Sequence, residues 1–112
     1  MYYTTKINDK YRKIMKTILL LVLLCTVEPP ISFHGVYSGN QSQKYVNLGW
    51  YSPHIGANYE IKRNGITAAT GVNQPVNIVS VAVEPSFKSA TFTITQTVDG
   101  VKSREVSTTV RK

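Results

Sequence analysis

The sequence is poor in the residues that build disulfide scaffolds, zinc sites and catalytic clusters. Of its 112 residues one is cysteine, two are histidine and six are acidic. The single cysteine, Cys25, excludes an intramolecular disulfide and a cysteine-rich zinc site. His34 and His54 lie in no metal-ligand spacing, and the sequence contains no glycine-rich phosphate loop and no nucleophile elbow. We therefore expect a protein without catalytic activity, bound metal or cofactor.

The basic charge is unevenly distributed along the chain. The formal net charge is +7, but residues 1–25 contain five lysines and arginines against one acid. Residues 26–112 contain eight basic and five acidic residues, which is a mild excess. Nucleic-acid binding domains carry a much stronger basic bias, so we expect no nucleic-acid partner. The overall content of 42% hydrophobic and 17% charged residues is ordinary for a folded globular chain.

The first 28 residues have the pattern of a secretory signal. Basic residues at 10–16 precede the unbroken apolar run 18–25, and Pro29-Pro30 follows. Even counted from residue 14 to residue 27, the run is shorter than the ~20 residues that span a bilayer. We expect a hydrophobic signal helix; a retained short membrane anchor, a buried core helix and acylation of Cys25 are the alternatives. Met15 is a second candidate for the start of translation.

The remaining residues, 29–112, predict an all-β domain. Short β-branched and aromatic segments alternate with turn residues, and no segment shows an apolar period of 3.6. Seven strands at this spacing predict an antiparallel two-sheet sandwich. The predicted strands cover residues 31–37, 45–51, 59–62, 66–70, 76–83, 90–98 and 101–110. The alternation slips between Ile78 and Val79, which predicts a bulge in the fifth strand.

Period-2 alternation also identifies the expected core. Trp50 is its expected centre, and the other inward residues with it are Tyr59, Ile61, Phe92 and Ile94. The same alternation places Thr91, Thr93, Thr95 and Thr97 on the outer face. Asn64-Gly65 and Asp99-Gly100 are strong signals for tight hairpin turns.

Several segments of residues 29–112 resemble a fibronectin type III domain. They are Pro29-Pro30, Trp50 followed by Pro53, and the stretch Tyr-Glu-Ile-Lys-Arg-Asn-Gly at residues 59–65. Residues 98–103 resemble a shortened form of the family's last turn. The resemblance implies an immunoglobulin-like sandwich. The family's tyrosine corner is reduced to residues 83–85, and the strand between residues 70 and 80 is missing or merged.

The family topology implies two functional poles. One pole would bring together the loop after the second strand and the last turn, with the candidate binding residues Tyr51, Ser52, Pro53, His54, Ile55, Asp99 and Gly100. The other pole would gather the basic residues Lys62, Arg63, Lys88, Arg111 and Lys112, with Glu84 as the nearby acid. This basic pole is interpreted either as a solvated end of the domain or as a weak docking site for an anionic surface.

Two functions are consistent with these patterns. The first is an exported, non-catalytic interaction module of bacterial or phage origin that presents loops to a protein or glycan partner. Such a module would be periplasmic, secreted or displayed at the cell surface, and would meet the membrane only through its N-terminal segment. The alternative is a structural subunit or spacer of a surface appendage or virion, acting through strand pairing.

Overall fold

A computed structural model describes residues 26–112 of the chain, so the predictions for the hydrophobic leader, Cys25 and the alternative start lie outside the described residues. The described part is all-β, as expected, with two antiparallel sheets arranged as a sandwich. Its strands are β1 (Ile31–Gly39), β2 (Lys44–Tyr51), β3 (Asn58–Arg63), β4 (Ile66–Val72), β5 (Val76–Ala82), β6 (Ser89–Val98), β7 (Val101–Lys102) and β8 (Val106–Arg111). Within these residues, no helix has the length and apolar character needed to cross a membrane.

The two sheets have different sizes. One sheet has the order β1-β2-β5. In the other, β4, β3 and β6 lie side by side, and β7 and β8 both pair with the far side of β6. The predicted seventh strand is therefore divided into β7 and β8, because residues 103–105 leave the ladder between them.

The core is aromatic at its centre. The rings of Trp50 and Tyr59 meet edge to face with centroids 4.8 Å apart, and Phe33 approaches Trp50 in the same way at 6.2 Å. The other expected core residues, Ile61, Phe92 and Ile94, are fully buried, and Tyr59 is partly buried against them. The core therefore forms between the faces that the alternation identified, with Phe33 and Phe87 as aromatic additions.

Two tight turns connect the strands of the hairpins in the larger sheet. Asn64 and Gly65 have φ angles of 49° and 86°, and Asp99 and Gly100 have 50° and 79°. Two successive left-handed residues define the type I′ turn, whose twist matches that of the flanking strands. The predicted turns are therefore present at both positions.

The predicted bulge in the fifth strand is wrong. All seven residues of β5 pair with β2 in a continuous register, and Ile78 faces solvent with 76% of its surface exposed. The inward positions begin at Asn77, which is buried because its side-chain amide exchanges two hydrogen bonds of 2.8 Å with the backbone of Gln74. Because Asn77 is polar although it faces inward, the apolar residues of this strand do not alternate regularly in the sequence, and this irregularity was interpreted as a bulge. The bulges lie instead in β1 and β4.

Thr95 lies on the outer face, as expected, but it is shielded from solvent. It is 5% exposed, although Thr93 and Thr97 on the same face are partly exposed. It lies on β6 opposite Glu60, whose carboxylate lies 3.7 Å from the Lys102 ammonium on the other side of β6. Because this ion pair spans β6, the side chains that form it shield Thr95 from solvent.

Candidate functional site

The loops expected to form a binding pole do come together. The β2–β3 loop and the β6–β7 turn line an open cleft of about 550 Å³, with residues 53–58 on one wall and residues 97–99 on the other. Pro53, His54, Ile55 and Asp99 belong to this lining, whereas Tyr51, Ser52 and Gly100 do not. Four of the seven candidate residues therefore share one concave surface.

Ser52 is part of the support for the loop. It is 9% exposed, and its hydroxyl donates a hydrogen bond to Oε1 of Gln96 at 2.8 Å. Oγ of Ser52 also accepts a hydrogen bond from the backbone N–H of His54 at 3.0 Å. This hydroxyl therefore fixes the first turn of the loop against the neighbouring strand β6.

A buried polar network underlies the cleft. The indole N–H of Trp50 donates to Oδ1 of Asn73 at 3.1 Å, and Nδ2 of Asn73 donates to Oε1 of Gln96 at 2.7 Å. Nε2 of Gln96 donates to the carbonyl of Glu28, which connects the network to the segment preceding β1. Asn73 and Gln96 have no exposed surface. The network therefore joins four segments of the chain beneath the candidate site.

The same network holds the last turn. The backbone N–H of Gln96 donates to Oγ of Ser103 at 3.0 Å, and the N–H of Ser103 donates to the carbonyl of Gln96 at 2.7 Å. Sequence reasoning missed Asn73, Gln96 and Ser103. Gln96 carried a usable signal, because it continues the inward alternation of Phe92 and Ile94 with a polar side chain.

The loop pole has large apolar side chains at its surface and an unpartnered polar atom buried beneath them. Ile55 is 67% exposed and Tyr51 is 51% exposed. Nε2 of His54 is buried and has no hydrogen-bond partner among the described residues. Residues 26–112 contain no cluster of side chains suited to hold a metal ion. The arrangement is suited to contact a partner through an apolar anchor and adjacent polar groups.

At the opposite pole, the expected basic residues gather, but several are already paired. Arg63 forms an ion pair with Glu84 at 2.7 Å, and this hydrogen bond lowers the pKa of the Glu84 carboxyl to about 2. Lys62 lies 4.0 Å from Glu60 on the outer face of the sheet. Hydrogen bonding from Thr67, with help from the lysines, lowers the pKa of Glu60 as well.

An aromatic stack holds two cations of this pole in place. The rings of Tyr37 and Phe87 stack with centroids 5.5 Å apart and an interplanar angle of 9°. The Arg63 guanidinium lies 5.5 Å from the Phe87 centroid, and the Lys112 ammonium lies 6.0 Å from that of Tyr37. Of the five predicted basic residues, only Lys88 and Arg111 have neither an ion-pair partner nor an aromatic ring beside them among the described residues. The basic pole is therefore partly structural.

The comparisons with known proteins bear on the fold alone. No family model and no curated protein matches the sequence. Among solved structures, the chain is similar to the spore cortex lytic enzyme SleM of Clostridium perfringens, with a TM-score of 0.52 at 15% identity. The similarity covers 75% of this chain and 29% of the enzyme's chain. At this identity, the similarity shows a shared β architecture.

Proposed function

We propose that the protein is an exported, non-catalytic interaction module of the fibronectin type III kind that binds a protein or glycan partner at its loop pole. The cleft between the β2–β3 loop and the β6–β7 turn is the observation that carries this proposal. Loops held on a rigid β-scaffold are the usual binding elements of such sandwiches. The strand order, with the loops of β2–β3 and β6–β7 at one end, supports the family assignment.

The binding loops are already held in place in the free domain, which favours binding energetically. The buried hydrogen bonds of Ser52, Asn73 and Gln96 fix the loops before any partner arrives, so binding costs little ordering entropy. Ile55 is the best-placed anchor, because it is a large apolar side chain that is exposed at the cleft. Apolar anchors surrounded by polar groups contribute most of the free energy in many interfaces.

A matched pair of isoleucines tests this proposal. Ile55 and Ile66 are 67% and 75% exposed and lie at opposite poles of the domain. We expect Ile55→Ser to weaken saturable binding to a glycan array or a panel of secreted proteins at least tenfold, whereas Ile66→Ser leaves it unchanged. Equal effects of the two variants, or the absence of saturable binding in both panels, would contradict the proposal.

Export is the second part of the proposal. The basic residues followed by the apolar run at residues 18–25 support it. Glu28 accepts its hydrogen bond from Gln96, so residues 26–30 enter the domain at the loop pole. An uncleaved leader that acted as an anchor would hold this pole within five residues of the bilayer. Binding through the loops therefore requires cleavage of the leader.

The export proposal is tested by fusing a reporter after Lys112. We expect the fusion product outside the cytoplasm with its leader removed, and we expect deletion of residues 15–25 to retain it inside. N-terminal sequencing of the exported product gives the cleavage position. A fusion that fractionates with the cytosol irrespective of the leader contradicts export, and an exported product that keeps Met1 or Met15 contradicts cleavage.

A further inference from the structure

Three polar side chains meet where the two walls of the loop-pole cleft join. Asn58 on β3 lies directly opposite Thr97 on β6, and Asp99 follows in the β6–β7 turn. All three residues line the cleft; Asn58 and Asp99 are exposed, and Thr97 is partly exposed. None of the three side chains has a hydrogen-bond or ion-pair partner among the described residues. Their amide, hydroxyl and carboxylate groups are therefore available to a ligand.

The backbone that carries these groups is fixed. Asn58 and Thr97 form one step of the antiparallel ladder, in which directly opposite residues have Cβ atoms ~4.5–5.5 Å apart. Asp99 is the first left-handed residue of its type I′ turn, with a φ angle of 50°. In the β2–β3 loop, the backbone N–H of Gly56 donates to the carbonyl of Asn73 at 2.9 Å. The polar groups therefore keep their spacing without a ligand, and binding has little order to impose.

The remainder of the β2–β3 wall is apolar at its surface. Pro53 and Ile55 are both exposed there. The cleft thus offers apolar contact on one side and hydrogen bonding on the other. A sugar ring has the same two-sided character, because its faces present C–H groups while hydroxyls project around its rim. A cleft of about 550 Å³ also has the size of a small-ligand site, whereas a standard protein interface covers about 800 Å² of each partner.

The charge of the cleft narrows the class of sugar. Of the described residues that line it, Asp99 alone carries a charge. A carboxylate repels an acidic ligand, whereas it accepts strong, charge-assisted hydrogen bonds from hydroxyl groups. Lys102 lies opposite Thr97 in the ladder, but its ammonium is 3.7 Å from the Glu60 carboxylate and is engaged there. These charges favour an uncharged sugar over an acidic one.

We propose that the loop-pole cleft binds an uncharged sugar unit of a glycan. The Asp99 carboxylate accepts hydrogen bonds from ring hydroxyls, and the Asn58 amide and Thr97 hydroxyl each donate and accept at neighbouring hydroxyls. Ile55 contacts a C–H face of the ring. This inference rests on the proposed function and narrows its partner from a protein or glycan to a glycan.

Binding of the full chain to an array of neutral, amino and acidic oligosaccharides tests the inference, alongside the panel of secreted proteins. We expect saturable binding to neutral oligosaccharides. It should persist at roughly 0.5 M salt, because hydrogen bonds to an uncharged ligand are not screened as attraction between charges is. The free monosaccharide of the preferred oligosaccharide should compete for the site.

Two substitutions test whether the sugar lies in the cleft. Asp99→Asn removes the carboxylate and retains a residue type that tolerates a positive φ angle. Thr97→Val replaces a hydroxyl by a methyl group at a strand position that suits both residues. We expect each substitution to weaken glycan binding at least fivefold. Thr93→Val is the matched control, because Thr93 is a partly exposed threonine on the same face of β6, and it should leave binding unchanged.

The possible outcomes separate this inference from the proposed function. Neutral-glycan binding that neither Asp99→Asn nor Thr97→Val weakens puts the sugar elsewhere and overturns the inference. A preference for acidic or free-amino oligosaccharides also overturns it. Saturable binding to a protein alone, weakened by Ile55→Ser, overturns the glycan inference and supports the proposed function. The absence of saturable binding in both panels contradicts both.

Discussion

The indole N–H of Trp50 donates a hydrogen bond to Asn73 at 3.1 Å, and both side chains are buried. The indole N–H of Trp50 is therefore a buried donor at the centre of the core, and it needs a hydrogen-bond acceptor. Asn73 lies between β4 and β5, and its backbone N–H donates to Ala57 while its carbonyl accepts from Gly56. The central tryptophan and the loop that forms the cleft are consequently held by the same asparagine.

We predict that Asn73→Ala is strongly destabilising. It leaves the Trp50 indole without its acceptor and the buried Gln96 carbonyl without one of its donors, at a cost of about 2–4 kcal/mol. Urea unfolding followed by the fluorescence of the single tryptophan measures the loss. Asn58→Ala, at an exposed position of β3, should change stability by less than about 0.5 kcal/mol. Similar losses for both variants would show that the network contributes little.

Whether the sequence predicted the placement of a side chain correctly depends on whether that side chain is apolar or polar. Apolar alternation identified Trp50, Ile61 and Phe92 correctly, because the alternation of apolar and polar residues can be seen within a single strand. It failed at Asn77, a polar residue that faces inward because the backbone of Gln74 satisfies its amide. It also did not predict that Thr95, on the outer face, is covered by an ion pair between neighbouring strands. The loop pole was predicted through the family resemblance. The Asn73–Gln96 network beneath it was not, since its partners are separated by 23 residues in sequence.

A second prediction concerns the close approach of Tyr59 to Gly71. A Cβ atom at Gly71 would lie 2.5 Å from the Tyr59 hydroxyl and 2.7 Å from its ring carbon Cζ. Because Tyr59 packs on Trp50, its ring cannot move freely, and we expect Gly71→Ala to cost about 1–3 kcal/mol. Gly49→Ala is the control, since its Cβ would meet the exposed ring of His34 at 3.0 Å, which can rotate away. A larger loss for Gly49→Ala in thermal unfolding would contradict this account.

A third prediction follows from the depressed pKa of Glu84. Its folded-state pKa of about 2 lies below the ordinary value of 4.5, so its ion pair with Arg63 contributes stability above the ordinary value. This contribution decreases as the pH falls from 4.5 and is lost by about 2. We expect Glu84→Gln to melt lower than the wild type at pH 7, with the difference shrinking in this acid range. A difference in melting temperature that stays constant from pH 7 to pH 2 would contradict it.

The last prediction separates the structural cations of the basic pole from those that remain for a partner. Arg63 is held by Glu84 and by the face of Phe87, a cation–π contact of a kind that contributes about 0.5–1 kcal/mol at partly exposed sites. Lys88 and Arg111 have no ion-pair or ring partner in residues 26–112. We therefore expect Arg63→Gln to lower the midpoint of urea unfolding, and Lys88→Gln with Arg111→Gln to leave it unchanged.

Binding to an anionic surface should show the opposite order. On a sulfated polysaccharide column, we expect the Lys88→Gln and Arg111→Gln double variant to elute at clearly lower salt than the wild type, because these charges are not neutralised within the domain. Arg63→Gln should shift elution less, because it removes one positive charge from the domain whereas the double variant removes two. If the double variant elutes with the wild type, the basic pole does not act as an anion-docking surface, and its remaining charges keep that end of the domain solvated.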